Sequence, residues 1–350
     1  MKKNLINLSN LLITLLPVLL ISGPLLSEIA VIFLIIFFFI LSSKQEKIKL
    51  ISNYAFLIFL LFWLILILTS IINFSSISFF KSLSYLRFGL FFIAVRFFVE
   101  QNNKIFKYLF ISLGLIMLFL FIDGLYQFIN IENLFGISST DHPRTSSVFG
   151  DEQVLGSFTV RFLPLFMACY FFYYKGKLQP KYITIAIFLF SLVIIVISGE
   201  RMSLLFGLFV LVYFSVFLLK RTKLNLIISM ITILIITLVI SLNVDLKNRI
   251  VNQTLNEMGL TSNKTYQKEF AVEKPIYKNF YLVSPAHQSY FKTAFNMFKD
   301  KPFTGHGMKS FRVKCSDKKY RANRVSCATH PHNIYLQLLS ETGIVSFFIV

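Results

Sequence analysis

Charge is scarce in this sequence: only 15% of its 350 residues are Asp, Glu, Lys or Arg. So few charges cannot clothe the two or three soluble domains that the length alone would allow. Hydrophobic residues make up 56% of the chain, 42 of them phenylalanine, and apolar stretches too long for a soluble core recur from residue 5 onward. A soluble enzyme with one greasy segment is thereby excluded. Internal repeats, low-complexity linkers, a Walker loop and a dinucleotide fingerprint are all missing, and with them any energy-coupling ATPase domain. A reaction carried out by this chain must draw on a substrate that arrives already activated.

What the sequence does contain is a succession of apolar runs. Ten spans are expected, at 5–21, 25–41, 50–72, 79–99, 105–129, 152–174, 181–198, 202–219, 224–242 and 333 to the end. The expected fold class is an all-α, polytopic transmembrane helical bundle. Residues 1–242 form a bundle of nine spans, 243–332 one large loop, and 333–350 a tenth span. Met1-Lys2-Lys3 resembles a signal-peptide start, but no small-x-small cleavage site follows and a second span begins at once, so the first helix is retained. The tenth run stops at Val350 after few apolar residues, the expectation for a fragment or an unusually short last helix.

Basic residues set the orientation. One set of short loops carries 13, namely Lys2 and Lys3, Lys44, Lys47 and Lys49, Lys104 and Lys107, Lys175, Lys177 and Lys181, and Lys220, Arg221 and Lys223. The alternate short loops hold only Arg144 and Arg201. The basic side faces the cytoplasm, so the N-terminus is cytoplasmic and 243–332 lies outside it. That loop has 16 Lys/Arg against 6 Asp/Glu. The surplus reads either as attraction to phosphates, acidic sugars or lipid headgroups, or as drift in a chain rich in Lys, Asn, Ile and Phe. Nucleic acid is not expected on that side.

Cys169 lies in a span and reads as a small core residue. Cys315 and Cys327 share the outer loop, where an oxidising compartment allows a disulfide; two free thiols are the alternative.

Polar residues gather on the same outer face. The loop DHPRTSSVFGDEQ presents Asp141, His142, Arg144, Asp151 and Glu152, and the tight turn SGERMS puts Glu200 and Arg201 at the start of a helix. Residues 287–299 place Tyr290, Phe291, Ala294, Phe295 and Phe298 at helical spacing, an amphipathic helix beginning near His287. KPFTGHGMKSFR follows, whose glycines around His306 suit a tight, exposed turn, with Lys309 and Arg312 just beyond. Arg87 and Arg161 lie about nine residues, roughly 13 Å, inside their spans. Each reads as a phosphate ligand through its forked donors, or as the partner of a buried acid such as Asp123.

In CATHPHNIYLQLLSETG, residues 327–343, Asn333, Gln337 and Glu341 fall at i, i+4 and i+8 and form one polar stripe on the last span. His332 stands at the helix N-terminus, where the positive end of the dipole favours the neutral ring and leaves it able to accept a proton. A zinc site on His330 and His332 is the alternative, its third ligand drawn from His306, His287 or Cys327.

These motifs together resemble the O-antigen ligase and O-antigen polymerase superfamily of bacterial inner-membrane proteins. The resemblance rests on HPHNIYLQLLSETG at 330–343, PFTGHGMKSF at 302–311 and SGERMS at 198–203, with the large loop between the ninth and tenth spans. It implies glycosyl transfer on the periplasmic side, without metal, nucleotide or other cofactor. A glycan on undecaprenyl pyrophosphate passes to an acceptor hydroxyl, on lipid A-core for a ligase of lipopolysaccharide biosynthesis or on another lipid-linked repeat for a polymerase. The family's catalytic histidine corresponds to His332 and its turn arginine to Arg201. A second family arginine falls where this chain has His287, with Lys309 or Arg312 as substitutes. Arg161, Arg144, Glu200, His306, Asn333 and Glu341 complete the expected substrate-binding set. A transporter or lipid flippase is the alternative from another class, although polar residues do not recur at the inner ends of the spans.

Overall fold

The computed structural model describes residues 2–139, 143–174, 178–217, 222–258, 260, 284–324 and 326–350. Asp141, His142, Lys175, Lys177, Lys220, Arg221 and the 261–283 part of the large loop lie outside the described residues. What is described is helical, and strand-like pairing there is limited to one isolated bridge between Glu132 and Ser138. The all-α expectation holds. An apolar run in lipid has no water to bond its amides, so it takes the form that closes each N–H on its own carbonyls.

The long helices are α1 (Lys2–Ile21), α2 (Pro24–Leu41), α4 (Tyr54–Ile72), α5 (Ser76–Gln101), α6 (Lys104–Asn130), α7 (Leu155–Tyr174) and α8 (Leu178–Ile197), and all seven are long and apolar enough to cross a membrane. The start of the expected third span belongs to a separate helix, α3 (Lys44–Ile51). There Ser43 and Glu46 form a reciprocal capping box, and Asn53 accepts the Ala55 N–H at 3.1 Å to start α4. The remaining expected spans are shorter or bent. Helix α9 (Arg201–Phe217) has 17 residues, and α10 (Thr222–Leu242) meets the segment after it at 108°. That segment comprises α11 (Val244–Lys247), a π turn and α12 (Gln253–Glu257). Beyond it come α13 (Pro285–Asp300), α14 (Phe311–Lys314) and α15 (Ile334–Ile349).

The described chain forms two compact units, Met1–Leu34 with Phe98–Gln253 and Ile35–Phe97 with Thr254–Val350. In the first, α6, α7 and α8 share a core of Leu113, Met117, Leu163, Phe166, Phe188 and Leu192. Phe110 stacks on Phe166 at 4.6 Å, and Gly114 leaves room for that ring. With lipid on the far side of each helix, such close packing holds the bundle more than exclusion of water does. The α6–α7 loop folds back onto α6. Buried Asp123 accepts Leu134 N–H at 3.0 Å, the Asn133 side-chain amide at 3.3 Å and the Ser147 hydroxyl. Gln127 accepts Ser146 and Ser147 N–H and donates to Ile137 O at 2.9 Å. Asp123 therefore holds a loop; no arginine is bonded to it among the described contacts.

In the second unit, α13 packs along α15. Its buried positions are Ser289, Thr293, Ala294 and Met297, while Phe295 is 42% exposed. The buried stripe is thus small residues and methionine, sharing Ala294 with the stripe marked by the sequence spacing. The Gly-His-Gly turn corrects a second expectation: it is buried, not exposed. Its backbone docks on α15 through His306 N–H to Ser340 O (3.0 Å) and Gly307 N–H to Glu341 O (2.7 Å). On its other side Asn73 donates to Gly305 O at 3.1 Å and Ser78 to Met308 O at 2.8 Å. Helix α15 breaks at Gly343 (φ 77°), where Ile344 N–H reaches Pro302 O at 2.8 Å.

Candidate functional site

Asn333 starts α15 by accepting Tyr335 and Leu336 N–H on its side-chain oxygen, at 3.0 and 3.1 Å. Its expected place in a polar stripe is thereby taken up by capping. The preceding residue, His332, is exposed and has φ 55°, a left-handed conformation that a non-glycine residue holds only under constraint from its surroundings. Three rings enclose it: His330 at 4.2 Å, His287 at 5.1 Å and Tyr290 at 5.4 Å between centroids. His287 is fixed by Ser284, the N-cap of α13, whose hydroxyl lies 2.6 Å from Nδ1. His287 and Tyr290 lie three apart on α13 and so share a face, a signal present in the sequence but without meaning until His332 is placed against it.

The rings packed around His332 strip part of its water and lower its pKa from the ordinary 6.5, and the positive charge that His330 and His287 would carry lowers it further. His330 is lowered by burial and then by Lys309 and Arg312. The sequence points to the helix dipole as a reason for a neutral ring; the structure adds desolvation and the two neighbouring histidines. An uncharged imidazole at an exposed chain turn, held by neighbouring rings, is suited to accepting a proton. Among the described residues no three His, Cys, Asp or Glu are grouped to hold a metal ion.

Two expected substrate ligands prove to be supports. Glu341 is 4% exposed, accepts Phe311 N–H at 3.2 Å and the Lys309 N–H, and takes a bond from Gln337 at 3.2 Å. Its carboxylate ties the 309–311 backbone to α15. His306 is 1% exposed, with Nε2 3.0 Å from Met297 O and Nδ1 3.2 Å from Lys314 Nζ. Nε2 donates and Nδ1 accepts, so neither edge of the ring is left for a ligand. Burial and Lys314 push its pKa down to about 4, keeping it neutral. Cys315 and Cys327 are joined by a disulfide that closes the segment leading to His330 and His332 onto α14. Arg312 is exposed and Lys309 half-buried on the same segment.

The first unit carries the turn between α8 and α9. Glu200 accepts Gly156 N–H at 2.7 Å and Ser157 N–H at 3.0 Å, and the Ser203 hydroxyl at 2.8 Å. It closes the start of α7, placing negative charge on two amides that have no partner within their own helix. The structure thus gives Glu200, expected as a substrate ligand, a capping role. Glu200→Ala is expected to cost about 1–2 kcal/mol of stability, read as a lower thermal midpoint, with Glu200→Gln intermediate; an unchanged midpoint in Glu200→Ala would contradict the cap.

Arg201 follows, half-buried, as the first residue of α9. Gly199 (φ 64°) lies against the stems of Arg144 and Arg249, and Arg249 Nε donates to Gly199 O at 3.3 Å. Arg144 also donates to Gln153 O at 3.0 Å. Three arginines thus surround or adjoin one turn. Arg249 escaped sequence reasoning because its segment has no periodicity that marks it. Arg161 lines a cleft in the same unit that also includes Ser157, whose N–H is accepted by Glu200 of the turn, while Arg87, in the second unit, lies over the Phe88 ring at 4.7 Å.

Residues 186–350, which include the turn arginine and the histidine motif, match the family model Wzy_C, described as O-antigen ligase. No curated protein and no solved structure matches the chain.

Proposed function

We propose that this chain, whose residues 186–350 match the O-antigen ligase family model, transfers a glycan from undecaprenyl pyrophosphate to an acceptor hydroxyl at the periplasmic face of the bacterial inner membrane. His332 is the general base. As the acceptor oxygen bonds to the anomeric carbon, its proton passes to the imidazole. The bond from that carbon to the pyrophosphate oxygen breaks, and the electron pair leaves with the pyrophosphate. Arg201 stabilises the charge that gathers on the leaving group, and Arg144 shares the same turn. The observation that carries the reading is His332 itself, uncharged, enclosed by rings and held in a strained backbone conformation immediately before Asn333.

The orientation follows from the 13 basic residues in one set of short loops against two in the other. On this reading the N-terminus is cytoplasmic and the His332 segment periplasmic.

The test uses the purified full chain, a labelled lipid-linked glycan, and two acceptors in parallel, lipid A-core and a second lipid-linked repeat. Label on lipid A-core with release of undecaprenyl pyrophosphate is the expected result. Elongated lipid-linked product instead would identify a polymerase, with the same base and the same leaving group. Arg201→Ala is expected to abolish either product while the protein still accumulates in the membrane. Label on neither acceptor, with labelled donor moved across vesicles intact, would replace glycosyl transfer with transport.

A further inference from the structure

We propose that the first unit holds the lipid of the donor: a single polyisoprenyl chain in the groove between α1 and α6, with its diphosphate at Arg161. This rests on the glycosyl-transfer reading and says where its donor lies. The groove has a volume of about 830 Å3 and is walled by Leu15 and Val18 of α1, Ile111, Leu115 and Phe119 of α6, and Phe135 of the loop folded back on α6. From Ile111 to Phe119 it follows α6 for about 12 Å, a substantial part of a ~30 Å hydrocarbon core.

The groove does not end blindly. Ile21, Ser22 and Val148 line it and also line a second cleft, of about 560 Å3, that contains Arg161. One continuous surface therefore runs from a mainly apolar wall, interrupted by Thr14, Tyr108 and Ser112, to a guanidinium. That is the order of groups along a lipid phosphate.

Arg161 supplies the charge complementarity. It is the seventh residue of α7, about 9 Å along the helix from Leu155. It is exposed, and no hydrogen bond or ion pair joins it to any described residue. A cation at that depth is costly unless an anion meets it. The planar fork of arginine bonds two phosphate oxygens at once, which favours a diphosphate over a single-point contact. Glu152 lines the same cleft as a pure acceptor, suited to the sugar hydroxyls that follow the diphosphate. A bilayer phospholipid would bring two tails to a groove formed by one pair of helices.

The experiment is photocapture on the full chain in nanodiscs, with a polyisoprenyl diphosphate carrying a photoreactive group in its tail. Label is expected on peptides covering 14–22 and 108–119, displaced by unlabelled polyisoprenyl diphosphate but by neither phosphatidylglycerol nor inorganic diphosphate. Arg161→Gln is expected to reduce capture by about tenfold or more, and Leu115→Trp, which fills the groove from an exposed position, by a similar factor. Label on other helices, equal displacement by phosphatidylglycerol, or displacement by inorganic diphosphate alone would each overturn the assignment. Capture in the absence of any transfer would leave the groove assignment standing and sink the transfer reading. Transfer with capture elsewhere would do the reverse.

Discussion

Replacing His332 by alanine is expected to lower glycosyl transfer by at least ~10²-fold and up to ~10⁴-fold, the range that a positioned general base supplies. Membrane insertion and accumulation should be unaffected, because the ring is exposed and the start of α15 is closed by Asn333 rather than by His332. The pH dependence separates a base from a merely structural ring. With His332 as the proposed base, transfer needs the uncharged imidazole, whose pKa is lowered from 6.5 in the folded protein. Activity should therefore persist as pH falls through 6.5 and decline only below it. His287 and His330 contribute to that lowering when charged. Removing either should bring the acid limb closer to 6.5, with a smaller loss of maximal rate than His332→Ala. Wild-type activity in His332→Ala, or an acid limb above 6.5, would remove His332 from the role.

Gly343→Ala is expected to prevent folding, with a cost above ~4 kcal/mol, the range reserved for backbone overlap and strain together. A Cβ at Gly343 would overlap the Phe303 carbonyl, and one at Gly305 would overlap the Glu341–Thr342 peptide. All these atoms are backbone, so no rotamer change relieves the collision. The two glycines face one another's strands of chain, which explains why α15 breaks where it does. Gly305→Ala should fail in the same way. Gly136 is the control: its φ is also positive, at 76°, but nothing lies within 4 Å of an added Cβ. Gly136→Ala should cost only the ~1–2 kcal/mol of a left-handed L-residue. Accumulation and thermal midpoint in detergent measure all three. A folded Gly343→Ala protein would show that the break is not required.

The helices were legible because a run of apolar side chains carries its meaning locally: each residue prefers lipid, whatever its neighbours do. The place of His332 just before a helix was legible for a related reason, as an asparagine at a helix start is visible in a few residues. Glu200 and Glu341 were not. Both are acids beside motifs and read as ligands, yet each is consumed by amides about 30 to 44 positions away. Nothing in their local sequence announces those partners. His306 failed likewise, since flanking glycines mark a tight turn but do not say what covers it. The separation of α3 from α4 was written in Ser43, Glu46 and Asn53, and was obscured by the apolar run that begins inside α3.

The bond between Cys315 and Cys327 couples maturation to the redox chemistry of the compartment in which the chain folds. In a reducing lumen, the hydrophobic helices would still insert, because partition into lipid is indifferent to thiols. The ring-enclosed histidine would then hang on an untied segment of chain. Such a protein would be abundant, correctly delivered and inert, and its output would follow the cell's supply of thiol oxidant rather than its own copy number.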